Sequence, residues 1–433
     1  MGTLIQAARS GSVTEEMKIV AKEEGVSPEK IRDRIATGRV IIIRNVSHEG
    51  VRPRGVGLGL TTKVNVNVGT SSRVCNLDME REKVRIAVKY GADTIMDLST
   101  GGDLDFIRRE LMKEASGIPF GTVPTYQTFI EAYRKYGSGI EFTVDDLLNT
   151  IERHLKDGVD FMTIHAGVTR EIALKLAESE RVIPIVSRGG EFIVAWMLHH
   201  ERENPLYEYF DYILELFAQY DATISLGDAL RPGCIDDAHD EFQIYELLTV
   251  ARLVKRARQR GVQVMVEGPG HIPLNEIVWD VKLMKKVTKG APYYVLGPLP
   301  TDVAAPYDHI AAAVGSALAA AAGADLLCYL TPAEHLSLPT PEQVKEGLIA
   351  SKIAAHIADI VKLGRRVSWK DFEISKLRSE LKLKDTVKYT LFPEEAEKVL
   401  TQFGKVEEGP CTMCGQYCPI LHFILIKRQK RLK

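Results

Sequence analysis

From about residue 60 to residue 335 the chain repeats one pattern. A short β-branched run ends in Gly, Asp, Ser, Pro or His, and an amphipathic helical stretch follows. The runs are "TKVNVNVG", "DTIMDLSTGG", "PFGTVPTY", "VDFMTIHAG", "VIPIVSRGG", "ATISLGDALRPG", "VQVMVEGPGH", "PYYVLGPLPTD" and "ADLLCYLTP". Continuous apolar runs alternating with helices belong to parallel strands buried on both faces, because each crossover helix covers one side of the sheet. Many such units in series predict an α/β fold closed as a (β/α)8 TIM-type barrel. No GxGxxG follows the first run, which weighs against an open dinucleotide-binding sheet. Nine runs compete for eight places, so one lies outside the barrel or displaces an expected strand. The helical partners include "MEREKVRIAVKYG", "DDLLNTIERHLKDG" and "VKRARQRG". Each ends in Gly, the residue that best accepts left-handed backbone just past a helix.

The repeat divides the chain. Residues 1–58 are a lead-in of two short capped helices, "TEEMKIVAKEEG" and "SPEKIRDRIATG", and a short strand, "RVIIIRN". Residues 59–366 hold the barrel and, from about 340, a long helix packed on it. Residues 367–433 are more polar and read as a small appended helical module. A chain of 433 residues suits a barrel of roughly 250 residues or more with additions. With 56 basic and 58 acidic residues the net charge is −2, and aromatic residues are not interleaved with basic ones. No nucleic-acid partner is expected. No apolar run reaches the ~20 residues of a membrane span; "AAAVGSALAAAAGADLL" reads as a buried helix running into a strand. The first residues carry charges and no apolar h-region, and the six cysteines are too sparse for a disulfide scaffold. Both point to a reducing, cytoplasmic setting.

In such barrels the active site lies at the C-terminal ends of the strands. Those ends here carry Asn67, Asp97, Ser99, Tyr126, His165, Ser187, Arg188, Asp228, Arg231, Glu267, His271, Asp302 and His335. A ring drawn from nearly every strand suits a polar, anionic substrate. "SRGG" and "DALRPG" each pair an Arg with glycine, so backbone amides can approach a phosphate while a guanidinium forks onto it. Either Arg would equally suit a structural ion pair at the rim. In "EGPGHIP" a tight turn separates Glu267 from His271, and "TPAEHLSLP" places His335 after the last strand. Two imidazoles converging there could bind a divalent metal, with substrate or water completing the set. Loop histidines held by hydrogen bonds fit the same spacing. The His199–His200 pair has no partner pattern and reads as part of a helix face.

Cys411, Cys414 and Cys418 lie within eight residues as C-x2-C-x3-C. Two readings stand on spacing alone. His422 could complete a Cys3His zinc knuckle. Alternatively, three thiolates hold three irons of a [4Fe–4S] cluster, leaving the fourth iron for S-adenosylmethionine.

Ten ordered motifs carry a resemblance. "NVNVGTS", "DTIMDLSTGG", "GTVPTYQ", "TIHAGVTRE", "VSRGG", "LGDALRPG", "VMVEGPGHIPL", "YYVLGPLPTDVAAPYDHI", "CYLTPAEHLSLP" and "CTMCGQYC" together resemble the phosphomethylpyrimidine synthase family. Its members are radical S-adenosylmethionine enzymes of thiamine biosynthesis. The resemblance runs from about residue 10 to residue 420. It implies a ribonucleotide site of Asn67, Met96, Tyr126, His165, Ser187, Arg188, Gly189, Asp228, Ala229, Leu230, Arg231, Glu267 and Tyr294, with His165 and Glu267 as catalytic groups. It implies a second metal, zinc or iron, on His271 and His335, and a [4Fe–4S] cluster on Cys411, Cys414 and Cys418. It further implies an external electron donor, a homodimer, and conversion of 5-aminoimidazole ribonucleotide to a hydroxymethylpyrimidine phosphate with release of formate and carbon monoxide. The chain departs from the family pattern in its x3 cysteine spacing, where x4 is familiar. It also has Ala229 in place of the usual Gly, and "VAAPYDHI" where "IAPGYDHI" is usual. A paralogous family, 5-hydroxybenzimidazole synthase, shares the substrate and the chemistry. A nucleotide-binding barrel with a structural zinc knuckle is the non-enzymatic alternative.

Overall fold

A computed structural model describes residues 2–404 and 409–431. The chain divides into two compact units, Met1–Asp359 and Ile360–Lys433.

The first unit is a closed barrel of eight parallel strands ringed by helices. An antiparallel pair, β1 (Val40–Ile43) and β2 (Arg54–Gly57), precedes it. The barrel strands are β3 (Lys63–Val68), β4 (Thr94–Asp97), β5 (Phe120–Thr122), β6 (Phe161–Ile164), β7 (Thr223–Leu226), β8 (Val264–Gly268), β9 (Tyr293–Leu296) and β10 (Leu326–Cys328), with β10 pairing to β3 to close the ring. Side chains alternate along every strand. Val64, Val66, Ile95, Phe120, Met162, Ile164, Ile224, Val266 and Leu327 face outward into the main core against the helices. Met96, Phe161, Met265, Tyr294, Leu326 and Cys328 form a separate interior cluster. Gly121 makes room for that interior, since a Cβ there would lie 2.3 Å from the Phe161 ring.

Eight of the nine strand-like runs are barrel strands. The ninth, "VIPIVSRGG", is not one: residues 181–187 form a loop between the helices Arg170–Ala177 and Arg188–His200. The reason is local. The backbone N–H groups of Val182 and Ile183 donate to the Asp237 carboxylate at 3.0 and 2.9 Å, and the carbonyl of Pro184 accepts from Arg181. Its backbone is satisfied by side chains, and Pro184 offers no donor to a ladder.

Interior residues of β1 and β2 complete the lower end of the barrel. Ile41, Ile43 and Val56 pack into the interior cluster beside Phe161, Met265 and Leu326. Gln263 ties the pair down, accepting from Ile42 N at 2.7 Å and donating to Ile42 O at 3.0 Å. The lead-in therefore serves as the barrel floor, with its own small core of Leu4, Ile5, Met17, Val20, Ile31 and Ile35 to one side. It has a helix, Leu4–Arg9, and a strand, β2, beyond the elements read from sequence. The expected glycine stops hold at Gly91, Gly158 and Gly261, with φ of 79°, 93° and 76°. The long helix Pro341–Leu363 buries Val344, Leu348, Ala355 and Ala358 in the main core.

The second unit is built differently. It contains the helices Arg365–Ser379, Leu383–Thr386, Pro393–Thr401 and Pro419–Arg431. Among its described residues only Leu381 and Cys418 are buried.

Candidate active site

Glu267 stands near the end of β8 and points into the barrel mouth. Its Oε1 accepts hydroxyl hydrogen bonds from Thr163 at 2.7 Å and Ser225 at 2.8 Å. Those two residues are register partners on β6 and β7, so the sheet itself aims the carboxylate. Burial raises the Glu267 pKa above the ordinary carboxylate range, against the lowering effect of the two hydroxyls and of Arg231. Its register partner Tyr294 accepts from Asn65 Nδ2 at 2.8 Å. Asn65 also bonds Asn67 at 2.8 Å and Thr94 at 2.7 Å, and Asn67 Nδ2 lies 3.1 Å from Cys328 Sγ. Burial pushes the Cys328 thiol up to about 12, so it stays protonated.

His165 follows β6 and is gripped by two glycines. A Cβ at Gly189 would lie 2.5 Å from its Cε1, and one at Gly227 would lie 2.7 Å from its Cδ2. No other residue allows that closeness. Ser187 Oγ lies 3.2 Å from His165 Nε2 and also caps the helix Arg188–His200, accepting from Gly190 N at 3.2 Å. Burial, with the Arg231 charge nearby, lowers the His165 pKa to about 3, so the ring is neutral at working pH. Its Nδ1 is buried without a hydrogen-bond partner. The Arg188 guanidinium lies 5.1 Å over the Tyr126 ring, a cation–π contact at the same mouth.

The "DALRPG" turn after β7 supplies the third side. Arg231 Nη1 pairs with Asp228 Oδ1 at 3.0 Å. Asp228 Oδ2 is buried and unpartnered, and burial raises the Asp228 pKa although Arg231 opposes it. Ala229 and Leu230 are fully buried, and their backbone N–H groups donate to Glu246.

These residues surround one cavity that opens to solvent at the barrel mouth. Of the thirteen substrate-binding positions expected from sequence, Asn67, Met96, Tyr126, His165, Ser187, Asp228, Arg231, Glu267 and Tyr294 line it. Arg188 lines an adjoining opening that shares Asn67 and also holds His335. Gly189, Ala229 and Leu230 act behind the wall, by allowing close approach or by filling space. The sequence reading missed Asn65, Thr163, Ser225 and Cys328. Two-residue spacing from Asn67, His165 and Gly227 would have found the first three, because residues i and i+2 share a strand face.

His271 and His335 converge, with ring centroids 5.3 Å apart. Each directs Nδ1 to a carboxylate: His271 to Asp302 at 2.7 Å and His335 to Asp308 at 3.0 Å. A carboxylate on Nδ1 fixes the tautomer that leaves Nε2 as an electron-pair donor, the arrangement typical behind a metal-bound imidazole. The pair therefore fits a divalent ion.

The described residues of the cysteine segment carry no preformed zinc site. All three cysteines are free, with Cys411 and Cys414 exposed and Cys418 buried. A tetrahedral zinc site sets neighbouring sulfurs about 3.8 Å apart, from a Zn–S bond near 2.3 Å. Among the described residues, only Glu141, His199 and His200 bring three ligand atoms within 4.8 Å of one another. The cysteines and His422 do not, and His422 Nε2 lies 2.9 Å from the carbonyl of Gln416. The Glu141–His199–His200 trio closes a turn. His200 Nε2 donates to Ile140 O at 2.8 Å, and His199 pairs with Glu141 at 3.0 Å.

A closed parallel barrel with carboxylate, imidazole and guanidinium groups fixed at its mouth has the architecture of a barrel enzyme. The chain belongs to the Radical SAM ThiC family, whose profile matches residues 3–423. It is 62% identical over 418 residues to the phosphomethylpyrimidine synthase of Sulfurisphaera tokodaii, covering 96% of this chain and 97% of that protein. It is 60% identical over 431 residues to the phosphomethylpyrimidine synthase of Pyrobaculum aerophilum, covering 100% and 99%. The protein of that name from Sulfolobus acidocaldarius is 59% identical over 419 residues, covering 97% of each chain. Membership brings S-adenosylmethionine and a [4Fe–4S] cluster as cofactors, and the three free thiols are a suitable donor set for that cluster. Among the described residues no helix is long and apolar enough to cross a membrane.

Proposed function

We propose that this chain converts 5-aminoimidazole ribonucleotide to 4-amino-5-hydroxymethyl-2-methylpyrimidine phosphate, the pyrimidine unit of thiamine, releasing formate and carbon monoxide. The observation that carries the reading is the mouth itself. Asp228, Arg231, Glu267 and His165 meet in one cavity with buried polar atoms unpartnered on three of them. Such atoms favour a ligand that is polar at several points. Arg231 and the capped start of the helix Arg188–His200 suit the phosphate. Asn67, Tyr126, His165 and Glu267 suit the ribose and imidazole.

The bound cluster and S-adenosylmethionine would supply a 5′-deoxyadenosyl radical. This chain's residues supply the rest. Neutral His165 donates or accepts a hydrogen bond without adding charge. Glu267, its pKa raised by burial, is a group that can hold or release a proton at Oε2 while Oε1 stays tied to Thr163 and Ser225. The floor of Phe161 and Met265 excludes water from below. Cys411, Cys414 and Cys418 would hold the cluster, and His271 and His335 would hold zinc or iron. The reading includes an external electron donor, a cytoplasmic homodimer and the carbon–carbon lyase class.

The test is anaerobic turnover of the reconstituted protein with 5-aminoimidazole ribonucleotide and S-adenosylmethionine, read by mass spectrometry. A pyrimidine phosphate with 5′-deoxyadenosine supports the reading. A hydroxybenzimidazole, or no product from a cluster-loaded protein, rejects it.

A further inference from the structure

Glu246 has no counterpart in the reaction chemistry, yet it is among the most buried carboxylates in the barrel, 3% exposed. It projects from the helix Glu241–Gln259 into the back of the "DALRPG" turn. Oε1 accepts Ala229 N–H at 2.8 Å and Oε2 accepts Leu230 N–H at 2.7 Å. On the same peptide run, Leu230 O accepts from Arg181 Nη2 at 2.9 Å. The turn is thus gripped on its N–H side by one carboxylate and on a carbonyl by one guanidinium. Two consequences follow from the geometry. The amides of Ala229 and Leu230 point away from the cavity and are already spent, so they cannot cradle a phosphate. Only the side chains of Asp228 and Arg231, at the two ends of the gripped segment, are presented to the mouth. The far face of the turn is also fixed: a Cβ on Gly190 would lie 2.6 Å from Ala229 Cα and Cβ, so the turn rests on the first turn of the helix capped by Ser187.

We propose that Glu246 is a positioning residue: by holding both amides of the 229–230 turn it sets where Arg231 and Asp228 meet the anionic end of the substrate. A carboxylate does this where an amide cannot, because both of its oxygens accept. In Glu246→Gln the NH2 group must face one of the two N–H donors, and that end of the turn lets go. This inference rests on the ribonucleotide reading above for the identity of the ligand, though not for the clamp itself.

The experiment has two arms on the full-length anaerobic protein. In the first, hydrogen–deuterium exchange of the ligand-free protein follows the 227–231 segment. Glu246→Gln should speed exchange there by about tenfold or more, from loss of one of the two buried acceptors that hold the turn. Glu246→Asp should fall between it and the parent. In the second, calorimetry measures the Kd for 5-aminoimidazole ribonucleotide. Glu246→Gln should raise it about 10- to 100-fold, and should remove most of the effect of Arg231→Ala, because a misplaced guanidinium has little left to lose. Leu253→Ala, a buried truncation on the same helix, should lower Tm with the Kd unchanged. Unchanged exchange, a Kd within twofold of the parent, or fully additive effects with Arg231→Ala would each overturn the proposal. If the parent itself fails to bind the ribonucleotide, the functional reading falls, while the exchange arm still decides the clamp.

Discussion

The barrel mouth and the cysteine segment solve the problem of holding a reactive group in opposite ways. At the mouth the main polar side chains are each held by a neighbouring side chain, while further polar atoms on His165, Asp228 and Arg231 stay open. Glu267 is aimed by Thr163 and Ser225, Arg231 by Asp228, and His165 by Ser187 and two glycines. In the cysteine segment two of three thiols are exposed, and Cys418 is one of only two buried residues among those described in its unit. The mouth is organised by the fold before any ligand arrives. The cysteine segment draws little from a core, so a cluster held there would contribute a larger share of its order, as metals do in small domains.

The comparison can be broken at either end. The largest effect is expected from Cys414→Ala. Turnover should vanish and the brown colour of the reconstituted protein should weaken, while the Kd for ribonucleotide and the Tm of the barrel hold. A loss of ribonucleotide affinity in this variant would show that the two regions are not independent. Next comes Glu267→Gln, which keeps shape and removes the proton-holding carboxylate. It should lower kcat about 10²- to 10⁴-fold with Tm unchanged or raised, because burial already disfavours the charge. A kcat within threefold of the parent would remove Glu267 from the chemistry. Arg231→Lys should raise KM about 10- to 100-fold with a smaller change in kcat, since an ammonium cannot reproduce the fork.

The smallest effect concerns pH. His165 has a folded pKa near 3, below its unfolded value near 6.5. The unfolded chain therefore takes the proton first. The stability associated with neutral His165 is complete above about pH 6.5 and is lost as pH falls toward 3. The drop in Tm between pH 7.5 and pH 5 should be smaller in His165→Gln than in the parent by roughly 2–4 °C. Equal drops would show that the ring is more accessible than its burial implies.

Much of the barrel was legible because its strands are buried on both faces and end in glycine or polar residues. What failed is instructive. "VIPIVS" has the composition of a strand, but its amides are taken by Asp237, a residue about 55 positions later that no local pattern reveals. β2 was invisible because "RGVG" has two glycines and too little side chain to signal a strand. At the site, ionisable residues after the strands stood out, whereas Thr163, Ser225 and Asn65 inside them looked like ordinary β residues. Glu246 lies on the buried side of an amphipathic helix, among Phe242, Val250 and Leu253. A lone carboxylate on an apolar stripe was the one sign of its role.

The floor formed by Ile41, Ile43 and Val56 beneath Phe161 and Met265 has a kinetic meaning. A vessel stoppered below is filled and emptied from its upper end. A ligand seated on that floor would leave past whatever sits above it, so an occupant of the rim would slow its departure.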